Sequence, residues 1–196
     1  MRKSINRVSK ENYGMYLLTE HCMPVLLGIK PSNIITAHKR KMVCQEEFIN
    51  CVYKEVMGFN CRLSTLYENE EVYIFFIYNY DLLESILTHE ESCRFLRQVG
   101  YWQYEKTVEK QIELIKSRYY KYKEERGSFP HEIGIFLGYP LEDVKGFIAN
   151  NGRYYLLNGY WKVYGDVKQA KETFRLYQMA REVGRVIYST ITTTLY

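Results

Sequence analysis

The sequence predicts an α+β fold built as one domain over residues 1–196. Three observations predict it. The stretch VYIFFIY at 72–78 is apolar on both alternating faces, the pattern of a central strand covered on both sides. Asn158-Gly159 sits between RYYLL and YWKVY, the side-chain chemistry of a two-residue hairpin turn. Around these stretches run segments whose apolar residues recur every three to four positions, the spacing of amphipathic helices. Helices and hairpins interleave without a regular β-α-β alternation. The expected architecture is therefore a small, mostly antiparallel or mixed sheet packed with several helices.

Taken in order, residues 9–20 read as a short helix. Pro24, Gly28 and Pro31 punctuate 21–37, which predicts short extended pieces and a turn. Phe48, Ile49, Val52 and Val56 give a helix over 45–57. Residues 61–67 and 72–78 form a hairpin about Glu68-Asn69-Glu70-Glu71. Asp81 with Glu84, and Thr88 with Glu91, have capping-box spacing and predict helices near 82–87 and 89–98. From Tyr104, the positions Val108, Ile112, Ile115, Tyr119 and Tyr122 mark a helix to about Lys123, ended by Gly127. A helical corner occupies 130–150 and a hairpin 153–164. The last helix runs over about 167–187 with Ala170, Phe174, Tyr177, Ala180 and Gly184 on one side.

Composition bounds the function classes. With 46% hydrophobic residues, a chain of 196 can bury a core without staples. Its five cysteines (Cys22, Cys44, Cys51, Cys61, Cys93) are odd in number and contain no C-x-x-C pair, so they read as reduced thiols and not as disulfides or a zinc site. The first 20 residues lack a signal peptide's apolar centre, and no run is long and apolar enough for a membrane span, so the expected compartment is the cytoplasm. A net charge of +4 permits an anionic partner without requiring one. The 20 tyrosines suit half-buried positions and interfaces, because each has an apolar body and a polar tip. No G-x-G-x-x-G, P-loop or G-x-S-x-G is present to support dinucleotide, NTP or α/β-hydrolase chemistry.

The most distinctive stretch is SFPHEIGIFLGYPLEDVKGFIANNG, 128–152. Pro130 suits a helix start, Gly138 a left-handed C-cap, and Pro140 the start of a second helix. Three readings follow. The spacing fits a helix-turn-helix, but its second helix would be LEDVKGFI, whose Glu142 and Asp143 repel phosphate, so nucleic acid is not the favoured partner. A catalytic corner would place His131 as acid–base and Glu132 as its orienting group in a first helical turn, where free N–H groups and the helix dipole favour anions. A packed corner, with Gly134 and Gly138 allowing close backbone approach, explains the same residues without chemistry.

The runs HEIGIFLGYPLEDVKGFI and NGYWKVYGDVKQA, with the upstream HCMPVLLGIKPSNII, resemble an uncharacterised family, a domain of unknown function among small proteins of anaerobic Gram-positive bacteria. The upstream match is the pattern Cys-x-Pro-x-Leu-x-Gly-x-Lys, here Cys22, Pro24, Leu26, Gly28 and Lys30. Met23 and Val25 stand where smaller residues are expected. The resemblance implies a cytoplasmic protein of an anaerobe and supplies no activity. It directs attention to two segments, 22–30 and 131–138.

The leading expectation is a protein that binds a small anionic metabolite or cofactor where those segments meet. Cys22 would be nucleophile or redox thiol, His131 the acid–base, Glu132 the orienting group and Lys30 the anion anchor, with Gly28, Gly134, Gly138 and Tyr139 shaping the pocket. A small buried hydrophobe is the competing reading of Cys22. A metal site from His21, Cys22, His131 and Glu132 lacks any recognised ligand spacing, so no metal is assigned. The alternative function is a non-catalytic protein–protein interaction module using the tyrosine-rich surface and the helix at 139–148. The basic runs AHKRK (37–41) and KSRYYKYK (116–123) permit single-stranded nucleic acid, but the second fits a solvated helix better.

Overall fold

Two hydrophobic layers form on opposite faces of one short sheet. The structure is a computed structural model and describes residues 8–101 and 107–194. Strands β1 (Ser32–His38), β2 (Cys61–Glu68) and β3 (Val72–Asn79) pair antiparallel in the order β1-β3-β2. The strand VYIFFIY is thus central, as its two-sided pattern requires. Tyr73, Phe75 and Ile77 point into one core with Cys22, Val25, Val52 and Val56. Ile74, Phe76 and Tyr78 point into the other, with Leu83, Ile115, Phe136 and Val144. Asn69 closes the β2–β3 turn by accepting from the Glu71 and Val72 amides.

The first core is capped by α1 (Tyr13–Leu17), a π-turn at Leu18–Cys22, α2 (Met23–Leu26) and α3 (Gln45–Gly58). Over 21–26 the structure departs from the expected extended pieces, which appear only in β1 after the turn. Pro24 lies within the first two positions of α2, where a missing N–H costs nothing, and the widened turn before it lets the chain stay helical. The second core is covered by α4 (Tyr80–Thr88), α5 (Glu90–Leu96), α6 (Val108–Glu124), α7 (Ile133–Phe136) and α8 (Leu141–Ala149). Neither expected capping box forms. Asn79 caps α4 by accepting from Leu82 N–H, and Thr88 hydrogen-bonds back to the Glu84 carbonyl. Thr107 caps α6, and the expected start at Tyr104 lies outside the described residues. Arg126, not Gly127, takes the left-handed conformation after α6 (φ 55°). Tyr119 is core as expected, whereas Tyr122 is exposed.

The hairpin at 153–164 is shorter than expected. Strands β4 (Leu157–Asn158) and β5 (Lys162–Val163) pair over two residues each, so Gly159-Tyr160-Trp161 forms a three-residue turn. Neither Asn158 nor Gly159 has the positive φ of a two-residue type I′ turn. Gly159 serves another purpose: a Cβ there would lie 2.1 Å from the Phe174 ring, so the turn lies flat on that ring. The final helix α9 (Val167–Thr194) buries Ala170, Tyr177, Ala180 and Gly184 along the expected side and extends past the expected end. A third cluster, Trp161, Val163, Ala170 and Tyr177, ties the hairpin to α9. The whole is a single small α+β domain.

Candidate functional site

The segment 131–138 packs against Pro31 and Ser32, the residues that follow the 22–30 segment expected to share its site. Gly138 has φ 76°, and a Cβ on it would stand 2.5 Å from Pro31 Cγ. Its N–H donates to the Ile135 carbonyl and that of Tyr139 to the Gly134 carbonyl, the paired bonds of a glycine helix stop. Ser32 Oγ donates to the Phe136 carbonyl at 2.7 Å, fastening β1 to α7. Gly134 brings α7 onto α8, since a Cβ would meet Val144 at 2.8 Å. Gly28 differs: a Cβ there would meet nothing within 4 Å, so it supplies the left-handed turn after α2 (φ 68°) and no close approach.

Behind that contact lies a sealed polar corner. Cys22 is fully buried, and burial pushes its thiol up to about 12, with Lys30 pulling weakly the other way. Lys30 is itself buried, and desolvation brings its ammonium down to about 8. Its Nζ donates to Asn33 Oδ1 at 2.8 Å and stands 5.7 Å from the ring centres of both Tyr139 and Tyr177. Asn33 in turn donates to the His21 carbonyl. Such a thiol is protonated at neutral pH and has no access to solvent, the opposite of a nucleophile's surroundings.

His131 and Glu132 point in different directions. Glu132 is buried and accepts from Arg118 Nη1 at 2.6 Å, with the Tyr101 hydroxyl 3.4 Å away. Burial and the neighbouring carboxylate push the Tyr101 phenol up. His131 instead faces solvent between the rings of Phe129 (5.2 Å) and Phe147 (5.1 Å). The helix expected over 131–138 is the single turn α7, and the Ile133 amide donates to the Pro130 carbonyl. One turn offers little dipole to favour an anion.

What His131 does border is a cavity of about 360 Å³ between α7, α8 and the hairpin. Its walls include Phe129, Phe147, Tyr139 and Trp161, with Gly134 and Asn158. Tyr139 and Trp161 stack at 5.1 Å. Asp143 holds the hairpin wall in place by accepting from Trp161 Nε1 (2.6 Å), Tyr164 N (2.6 Å) and Gly165 N (2.9 Å). Of the two α8 acids that would repel nucleic acid, Asp143 is thus an internal acceptor, whereas Glu142 stays exposed and accepts from the Asp166 amide. Lys162 donates to the Gly152 carbonyl at 2.7 Å and lies 5.6 Å from the Phe147 ring, which leaves two of its three N–H groups for a ligand. Cys22, Lys30, Glu132, Gly28 and Gly138 do not line the cavity; Tyr139 alone connects it to Lys30.

Sequence reading found His131, Gly134 and Tyr139 and missed Phe129, Phe147, Trp161 and Lys162. Trp161 and Lys162 lie in a stretch with the pattern of an ordinary hairpin strand, and Phe147, half-buried between exposed Lys145 and Ile148, carries no sequence signal of a cavity wall. Among the described residues no three His, Cys, Asp or Glu side chains gather as a metal site. No helix among them is long and apolar enough to cross a membrane.

An α+β domain with one aromatic-walled cavity beside a helical corner is the class that fold and site define. The family described as "Protein of unknown function (DUF3793)" matches residues 18–194, and the chain belongs to it. No curated protein and no solved structure matches the chain.

Proposed function

We propose that the protein binds a small anionic molecule carrying a flat apolar body, in the cavity between α7, α8 and the hairpin. One observation carries this reading: four aromatic side chains border a space of ligand size, about 360 Å³, with His131 and the Lys162 ammonium among its polar groups and the Asp143 carboxylate in its lining taken up by Trp161, Tyr164 and Gly165. Rings among Tyr139, Phe147 and Trp161 sandwich a planar group, and the Lys162 ammonium meets its negative charge. His131 can donate or accept a hydrogen bond there and is the side chain best placed to move a proton, should the bound molecule react. Lys30 supports the site from behind, through Tyr139, and Glu132 fixes α7 through Arg118, while Cys22 packs in the core on the other face of the sheet. Placement in the cytoplasm of an anaerobe belongs to the same proposal, supported by five free cysteines and the family resemblance. The test is a titration with aromatic carboxylates, benzoate and indole-3-acetate, followed by the Trp161 indole N–H resonance. The reading expects saturable shifts that Phe147→Ala weakens; flat titrations at millimolar ligand count against it.

A protein-interaction role has one specific observation in its favour. Leu176, Met179, Val183 and Val186 lie at 3-4-3 spacing on α9 and are exposed by 43%, 53%, 47% and 65%. Four apolar side chains in a row on one helix face fit a partner helix. Light scattering of the wild type beside Met179→Lys/Val183→Lys tests it: a monomer in both cases removes self-association from consideration.

A further inference from the structure

A second, larger depression adjoins the cavity. It has about 610 Å³ and lies between α9 and the hairpin. Its α9 side presents Lys171, Arg175, Gln178, Glu182 and Arg185, spaced so that they fall on one stripe of the helix, with Arg181 beside it. Four cations face one acid. Arg181 and Arg185 are committed, since both bind Glu20, and Arg185 also binds Glu182 at 2.8 Å. Glu20 is held below its usual carboxylate range, chiefly by Arg185, which marks how positive the place is. Lys171 and Arg175 have no acidic partner among the described residues. Arg175 reaches only the Met179 sulfur, at 3.5 Å.

The opposite wall of this groove is the hairpin turn. Gly159 and Tyr160 line both the groove and the aromatic cavity. Gly159 has no side chain at that crossing, and the turn is held flat on Phe174. An aromatic compartment and a cationic compartment therefore meet across two residues. The chain has no glycine-rich phosphate loop, so a helix face of Lys and Arg is the place where phosphates would be met.

Resting on the cavity reading above, we infer that the ligand is a nucleotide, its base in the aromatic cavity and its phosphates in the Lys171/Arg175 groove. The experiment uses the full chain carrying Trp102→Phe, so that Trp161 alone reports by fluorescence. Adenosine and uridine, their 5′-triphosphates, and pyrophosphate are titrated separately. At least one triphosphate is expected to bind ten-fold or more tightly than its nucleoside. Added salt should erode that gain and leave the nucleoside unaffected. Lys171→Gln/Arg175→Gln, two exposed positions, should bring the triphosphate to the nucleoside's affinity. Phe147→Ala should weaken both. Equal affinity of nucleoside and triphosphate overturns the inference while leaving the cavity reading standing. So does a gain that the double variant retains, or a triphosphate that binds no better than pyrophosphate. If neither nucleosides nor triphosphates bind, the inference falls, and the benzoate and indole-3-acetate titrations decide separately whether the cavity reading falls with it.

Discussion

The corner around Cys22, Lys30 and Asn33 and the cavity around His131, Trp161 and Lys162 invite comparison, because both hold reactive residue types and Tyr139, which lines the cavity, lies against Lys30 of the corner. The corner is closed. Its thiol and its ammonium are both driven toward their neutral forms by burial. The cavity is open, its polar groups half-exposed and its walls aromatic. The lesson is that residue type nominates a site and solvent access decides it. A cysteine, a lysine and a turn glycine in one short segment look chemical in the sequence, yet here the first two are buried and the glycine only turns the chain. The adjoining aromatic residues look structural, and they wall a space of ligand size.

The sharpest way to break this comparison is at the joint. Gly138→Ala adds a Cβ 2.5 Å from Pro31 to a residue at φ 76°. The strained backbone and the overlap together should cost about 2–4 kcal/mol. Chemical denaturation checks it, and a loss under about 1 kcal/mol would mean that the two regions are not rigidly joined. Next, Glu132→Gln leaves Arg118 without its carboxylate. Arg118 is partly exposed, so the loss is discounted to about 2–3 kcal/mol from the full cost of breaking a buried pair.

Lys30 gives a pH signature of the closed corner. Its folded value, about 8, lies below the ordinary 10.5. Between those values the unfolded chain holds the extra proton, so stability rises with pH; below about 8 both states are protonated and the burden of the buried charge is complete. The raised thiols of Cys22 and Cys61 act in the opposite sense above about pH 8 and cancel when wild type is compared with Lys30→Met. From pH 8 to 9 wild type should gain about 1 kcal/mol on the variant. A constant difference would show that Lys30 is solvated. Alkylation gives the kinetic counterpart: Cys44 and Cys51, both exposed, should react first, and Cys22 only on unfolding. In the open region the stability effects should be small. His131→Ala should cost under about 1 kcal/mol while reducing ligand affinity.

Much of the fold was legible in the sequence because it depends on periodicity. VYIFFIY could only be a central strand, and the α3, α6 and α9 faces follow their apolar spacing. Gly138 was readable as a helix stop because positive φ leaves a glycine signature. Local rules failed where tertiary packing overrode them. Pro24 was read as a breaker, but a π-turn absorbs it. Asn158-Gly159 has type I′ chemistry, yet the chain makes a three-residue turn in which Gly159 lies directly on the Phe174 ring. Asn79 won the cap from Asp81 because it stands where β3 ends and its amide oxygen reaches Leu82 N–H. The site was legible only at His131, Gly134 and Tyr139. Its remaining walls come from Phe129, Phe147 and Trp161, which no spacing rule joins, since the α8–hairpin contact through Asp143 brings them together.

The most direct test of the central claim is a residue-by-residue NMR titration with the triphosphate and the aromatic carboxylates. The account predicts shifts at the Trp161 indole N–H, Gly134, Gly159 and Lys162, with the 22–33 corner unmoved apart from Lys30 behind Tyr139. Shifts centred on Cys22 and Asn33, with Trp161 silent, would contradict it and return the site to the closed corner.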